Sequence, residues 1–183
     1  IENGKLMGAS EVDNTCGQVQ AGYWNNACGI NATGGVCSTS YQGGIIAAGY
    51  WGTVGATDSA GSGRIAPGYY STGGATIEYP DPNQCVGNNT CGAIDAGYWN
   101  NGGGTSANGT CVSGKSCGTV NGGYYSTGGG TSATPTAASN GCLANKSCGT
   151  VNGGYYSTGG GTSATPTAAG NGCVNGKQCG VVD

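Results

Sequence analysis

The chain has 183 residues, 42 of them Gly, with 8 acidic and 5 basic side chains, no His and a net charge of −3. Leu, Ile, Val and Phe make up about a tenth of it, too little for a self-sufficient apolar core, while a charged fraction of 7% is too low for disorder driven by repulsion. Sparse basic residues exclude a nucleic-acid footprint, no run of 18 apolar residues is present to span a membrane, and acid–base catalysis has no His to use.

Eleven cysteines supply what the composition lacks. Disulfides restrict the unfolded chain by roughly 2–4 kcal/mol each and belong in an oxidising compartment. Zinc is the intracellular alternative, but there is neither a His nor a C-x-x-C pair, so no metal and no cofactor is expected. The reading is a secreted or cell-surface protein.

In chain order, residues 1–15 form an N-terminal segment, where Ile1–Val12 alone has few enough breakers for a short helix. Residues 16–84 read as degenerate, decorated repeats. They open with Cys16-Gly17 and reach Tyr23-Trp24, with Cys28 and Cys37 as a candidate pair. Gly-Tyr-aromatic returns at 49–51 and 68–70 without a preceding Cys. Gly61-Ser62-Gly63-Arg64-Ile65-Ala66 loosely fits a dinucleotide fingerprint, but Pro67 forbids the helix it needs. Glu78 and Asp81 are close enough in sequence for a carboxylate pair, yet Pro80-Asp81-Pro82 reads as a turn.

Residues 85–183 are the regular repeats. Segments 117–147 and 148–178 differ at five positions, 91–116 is a shorter relative, and the opening recurs at Cys179-Gly180-Val181. The shared unit is Cys-Gly, four residues, then Gly-Tyr-Tyr or Gly-Tyr-Trp, a pattern of stacked units each leaning on its neighbours. Within a unit, Cys148–Val151 and Tyr155–Thr158 read as strands joined by an Asn152-Gly153-Gly154 hairpin turn. Thr162–Thr167 reads as extended, with Pro166 at an edge or at a position outside the hydrogen-bond ladder. Tyr and Trp are expected to carry the burial as a spine against the disulfides; an exposed sugar-binding ladder is the other reading of the same rings. Gly109–Ser116 matches G-x-x-x-x-G-K-[ST], but neither strand nor helix flanks it and a cysteine interrupts it. Lys115, Lys146 and Lys177 read as solvated charges.

The cysteines allow two phasings. One closes Cys85/Cys91, Cys111/Cys117, Cys142/Cys148 and Cys173/Cys179 locally, pairs Cys28 with Cys37, and leaves Cys16 unpaired or intermolecular. The other closes the repeat bodies as Cys91/Cys111, Cys117/Cys142 and Cys148/Cys173, and leaves Cys179 over. Cys16 stands where a second pair member belongs, with Ser10 at its partner's position, which favours the local phasing. Asn31, Asn88, Asn108 and Asn145 are candidate glycosylation sites, and Ser/Thr-Pro stretches at 131–136 and 162–167 resemble O-glycan acceptors.

Gly-Tyr-Tyr-Ser-x-Gly-Gly, at 68–74, 123–129 and 154–160, resembles the cysteine-rich repeats of bacterial and receptor-like surface proteins. That resemblance implies an elongated disulfide ladder for display or adhesion. Those repeats use C-x-x-C where this chain has C-x5-C, so no pairing or functional residue transfers.

The expected fold is all-β, an elongated array of short disulfide-stapled β-hairpin repeats with much irregular Gly-rich loop. The expected function is a non-enzymatic structural one: a self-assembling subunit of an extracellular filament, pilus-like appendage or surface layer. The partner would be a second copy, docked head-to-tail on the half unit that ends at Asp183. A glycan-binding adhesion module using Trp24, Trp51 and Trp99 is the alternative. An ice-binding repeat, from Thr134-x-Thr136 and Thr165-x-Thr167, is the second alternative.

Overall fold

The computed structural model describes residues 19–25 and 43–182. The expected helix over 1–12, Cys16, Cys28, Cys37 and Asn31 lie outside the described residues. The chain divides into two compact bodies: Ile1–Ile65 with Ser71–Cys91, and Ala66–Tyr70 with Gly92–Asp183. The fold is all-β. Among the described residues there is no helix, and the strands are two or three residues long.

In the first body Tyr23–Asn25 pairs antiparallel with Gly43–Ile45, and Tyr50–Trp51 with Gly63–Arg64. In the second, Tyr98–Asn100 pairs with Cys117–Thr119, Tyr124–Ser126 with Cys148–Thr150, and Tyr155–Ser157 with Cys179–Val181. Each of these pairs joins a Gly-Tyr-aromatic strand to the Cys-Gly-x strand, or its cysteine-free equivalent, that comes later in the chain. One further rung extends each ladder: the carbonyls of Gly97, Gly123 and Gly154 accept from Val120, Val151 and Val182 at 2.8–2.9 Å.

The short disulfide-linked hairpin repeats are as expected, but the pairing differs at Asn152-Gly153-Gly154. Asn152-Gly153-Gly154 does form a turn, with the Tyr155 N–H on the Asn152 carbonyl at 3.1 Å. The strands on either side do not pair with each other. A two-residue hairpin would send the Asn152 N–H to Tyr155, but it goes to the Ala164 carbonyl at 2.7 Å. The turn therefore passes the chain from one strand pair to the next.

The interior also differs from the expected aromatic spine. The tyrosines and tryptophans of the strands are half-buried, and Tyr156 is 42% exposed. What is buried is a β-branched residue following four of the Cys-Gly-x or equivalent strands: Ile46 and Ile65 in the first body, Ile94 and Val120 in the second. Pro80, Pro135 and Pro166 are also fully buried. The reason is thickness. Gly130 and Gly161 lie so close to the carbonyls of Tyr98 and Tyr124 that even a Cβ there would overlap them. A ring does not fit between backbones at that separation.

Candidate functional site

Two features of the second body are candidates for function: the surface by which one repeat meets the next, and a groove beside Asp95.

The repeat surface is built largely from backbone. The second aromatic of one strand pair bridges in parallel to the glycine closing the next repeat's Gly-Gly-Gly run, Trp99 to Gly130 and Tyr125 to Gly161. Beside these bridges the N–H groups of Gly97 and Gly123 donate to the carbonyls of Ser126 and Ser157, both at 2.8 Å. Ser126 is fully buried and Ser157 7% exposed. A buried hydroxyl needs partners, and each finds them locally. Ser126 Oγ donates to the Gly128 carbonyl and accepts the Gly128 N–H; Ser157 does the same with Gly159. The serine thus closes its own Gly-Gly turn and offers its carbonyl to the preceding repeat.

Asn100 occupies the same place in its repeat and is also fully buried. Its Oδ1 accepts from Gly68 N at 3.0 Å and Gly102 N at 2.9 Å, and its Nδ2 donates to the Tyr69 carbonyl at 2.9 Å. One longer side chain does the turn closure and the inter-repeat bond together. Contacts also reach one repeat further. Val174 closes over Gly97, and Leu143 over Gly68.

The four local cysteine pairs are disulfides, Cys85–Cys91, Cys111–Cys117, Cys142–Cys148 and Cys173–Cys179, with Cα atoms 6.1–6.3 Å apart. The pairing that would close each repeat body is not formed. Asn88, Asn108 and Asn145 are exposed, and Asn108 Oδ1 accepts from Ser106 Oγ. Gly109–Ser116 is a strand end and a turn tied by Cys111–Cys117, with no helix to hold phosphate. Lys115, Lys146 and Lys177 are half-buried rather than solvated along their length. Lys115 Nζ donates to the Asn101 carbonyl at 3.3 Å, and the stems of Lys146 and Lys177 lie near Gly128 and Gly159. Thr136 and Thr167 spend their hydroxyls on the carbonyls of Asn140 and Asn171. Thr134, Thr136, Thr165 and Thr167 are all exposed, but the hydroxyls of Thr136 and Thr167 are tied to the backbone.

The groove has a volume of about 510 Å³ and is lined by Asp95, Ala96, Tyr98, Thr162, Gly170, Cys173, Val174 and Asn175. Asp95 is the sole carboxylate in residues 92–182 and is exposed; Asn121 and Asn152 stand at its position in the following repeats. Carboxylate, hydroxyl and amide groups beside a half-buried phenol ring can hydrogen-bond and stack on a small polyhydroxylated ligand. The reading of the sequence missed this groove, because Val174 and Asn175 are 79 and 80 residues from Asp95. Among the described residues no group of three His, Cys, Asp or Glu side chains is placed to hold a metal, and no helix is long and apolar enough to cross a membrane. Comparison of the chain with protein-family models, with curated proteins and with solved structures found no match in any of the three.

Proposed function

We propose that the chain is a non-enzymatic structural protein of the extracellular space, a subunit that assembles with its own copies into a filament, pilus-like appendage or surface layer. The observation that carries this reading is the self-complementary repeat surface. Glycine N–H groups lie on one side of a strand pair, and the Ser or Asn acceptor lies on the other. Because most of the joining groups are backbone, the surface of any one repeat suits any other, and the same geometry that stacks repeats within a chain serves between chains as a head-to-tail contact. Several disulfides agree with an oxidising, extracellular setting.

Negative-stain microscopy and sedimentation of the purified protein over a concentration series test the proposal. Fibres or sheets with a repeating spacing are expected. A monodisperse monomer at the highest concentration would overturn it.

The groove favours a second reading, an adhesion module that takes glycan. A glycan array with the native protein and with Asp95→Asn and Tyr98→Ala tests it. Selective binding lost in both variants supports the reading; an empty array rejects it.

A further inference from the structure

One disulfide of the second body is built differently from the two later in the chain. Cys111 and Cys117 are both half-buried, whereas Cys142 and Cys173 are 2% exposed and Cys148 and Cys179 are 7% exposed. The cause is loop length. From Gly130 to Cys142 and from Gly161 to Cys173 the chain runs 12 residues, but from Gly104 to Cys111 it runs only 7.

The longer loops shield the disulfides beside them. Each buries a proline, Pro135 or Pro166, against Gly141 or Gly172, and lays Ala137–Ala138 or Ala168–Ala169 beside the strand of the second cysteine. The carbonyls of Thr136 and Thr167 stand 3.3 and 3.6 Å from where a Cβ on Gly149 or Gly180 would be. At Gly118, the equivalent position, no such neighbour lies within 4 Å. The short loop leaves both cysteines half-buried and Gly118 without such a neighbour.

We propose that Cys111–Cys117 is a thiol–disulfide exchange site, the bond at which an external dithiol acts on this protein. A thiolate of the dithiol attacks one Sγ, the S–S bond breaks, and the other cysteine leaves as a thiolate that takes up a proton. The second thiol of the reagent, as thiolate, then attacks the sulfur of the mixed disulfide and expels the remaining cysteine. Two electrons pass to the protein, which gains two thiols, and the dithiol becomes a disulfide. Attack needs an approach line to sulfur, which the longer loops deny to Cys142–Cys148 and Cys173–Cys179. The site requires no particular assembly state, so it stands or falls apart from the structural reading above.

The test is graded reduction of the native protein with dithiothreitol, quenched by iodoacetamide and followed by peptide mapping. Alkylation of Cys111 and Cys117 should run on the order of tenfold ahead of alkylation at 142, 148, 173 and 179. Opening of Cys142–Cys148 or Cys173–Cys179 together with or ahead of Cys111–Cys117 overturns the proposal, as does resistance of Cys111–Cys117 under conditions that leave the fold intact. A second variant replaces residues 105–110 by the sequence of 162–172. It should slow alkylation of Cys111 and Cys117 to the rate of the shielded pairs. If that variant folds and its rate is unchanged, loop shielding is not the cause; if it does not fold, the order of opening in the native protein still decides.

Discussion

Tyr125 stands directly across from Gly149 in the pair of strands Tyr124–Ser126 and Cys148–Thr150, with its Cε1 3.7 Å from where a Cβ on Gly149 would be. The ring contact recurs at Tyr156 and Gly180, with Tyr156 Cε1 at 3.3 Å, while Trp99 faces Gly118 in register without reaching it. A glycine within a strand leaves its backbone uncovered, and an aromatic ring on the facing strand makes good the missing side chain. At Gly149 the glycine is also required by conformation, since its φ of 155° is a region other residues rarely enter. Gly149→Ala should therefore destabilise the protein by about 2 kcal/mol, through backbone strain and crowding against the Thr136 carbonyl. Tyr125→Ala should cost a similar amount through lost cover alone. Denaturant midpoints of the two variants check both values.

Ser139 is the one residue other than glycine with a positive φ, 65°, among the described residues. It sits in the turn between Ala138 and Asn140, and the following repeat has Gly170 there, with φ of 80°. An L side chain in this region costs about 1 kcal/mol. Ser139→Gly is expected to raise stability by about that amount, and Gly170→Ser to lower it. Opposite shifts in melting temperature check the pair; shifts of the same sign would show that the turn conformation is not what separates the two repeats.

The elements were readable from the sequence, but their partners were not. Cys-Gly and Gly-Tyr-aromatic marked the strands because those residues suit short pleated segments and recur at fixed offsets. Asn152-Gly153 then misled, since a dipeptide reports the turn it forms but not where the flanking N–H groups are sent. The β-branched core escaped notice for another reason. Ile65, Ile94 and Val120 come 29 and 26 residues apart, one to a repeat, so no window along the chain shows a helical or strand period. The aromatics were conspicuous and were given the core's role. Alignment on Gly-Tyr-aromatic would have revealed Ser71, Asn100, Ser126 and Ser157 in register, the one signal of the buried polar position. The groove offered none.

Asn100 links its repeat to the preceding one with two hydrogen bonds that a shorter side chain cannot make. Asn100→Ser keeps a group able to accept from Gly102 N, as Ser126 does at Gly128, but takes away the acceptor of Gly68 N and the Nδ2 donor to the Tyr69 carbonyl. A buried backbone group without a partner costs roughly 1–3 kcal/mol. Hydrogen exchange should show the loss at Gly68, with little change at Gly123, whose N–H bonds to the Ser157 carbonyl. Uniform loss of protection across the chain would mean that Asn100 supports the whole fold and not one junction.

Val120 is fully buried, whereas Val182, at the equivalent place after the last strand, is 57% exposed. The same truncation should therefore have two outcomes. Val120→Ala removes two buried carbons and leaves a void, costing about 2 kcal/mol. Val182→Ala should change the unfolding midpoint by less than about 0.5 kcal/mol in the isolated chain. Under conditions where copies assemble, a cost that appears at Val182 only with assembly would place that residue in the contact between chains.

Complete reduction should abolish the fold. Among the described residues each of the four disulfides closes a loop with a sequence separation of 6, which restricts the unfolded chain by about 2 kcal/mol. Folded domains are stable by only about 5–15 kcal/mol in total, and an interior of single Ile and Val residues has little to spare. Protein that is reduced and alkylated in denaturant, then returned to buffer, should show no cooperative melting and lose the hydrogen-exchange protection of the Val120 and Val151 amides. Recovery of the native melting profile with every cysteine blocked would show that the backbone ladders and buried serines hold the array together without sulfur.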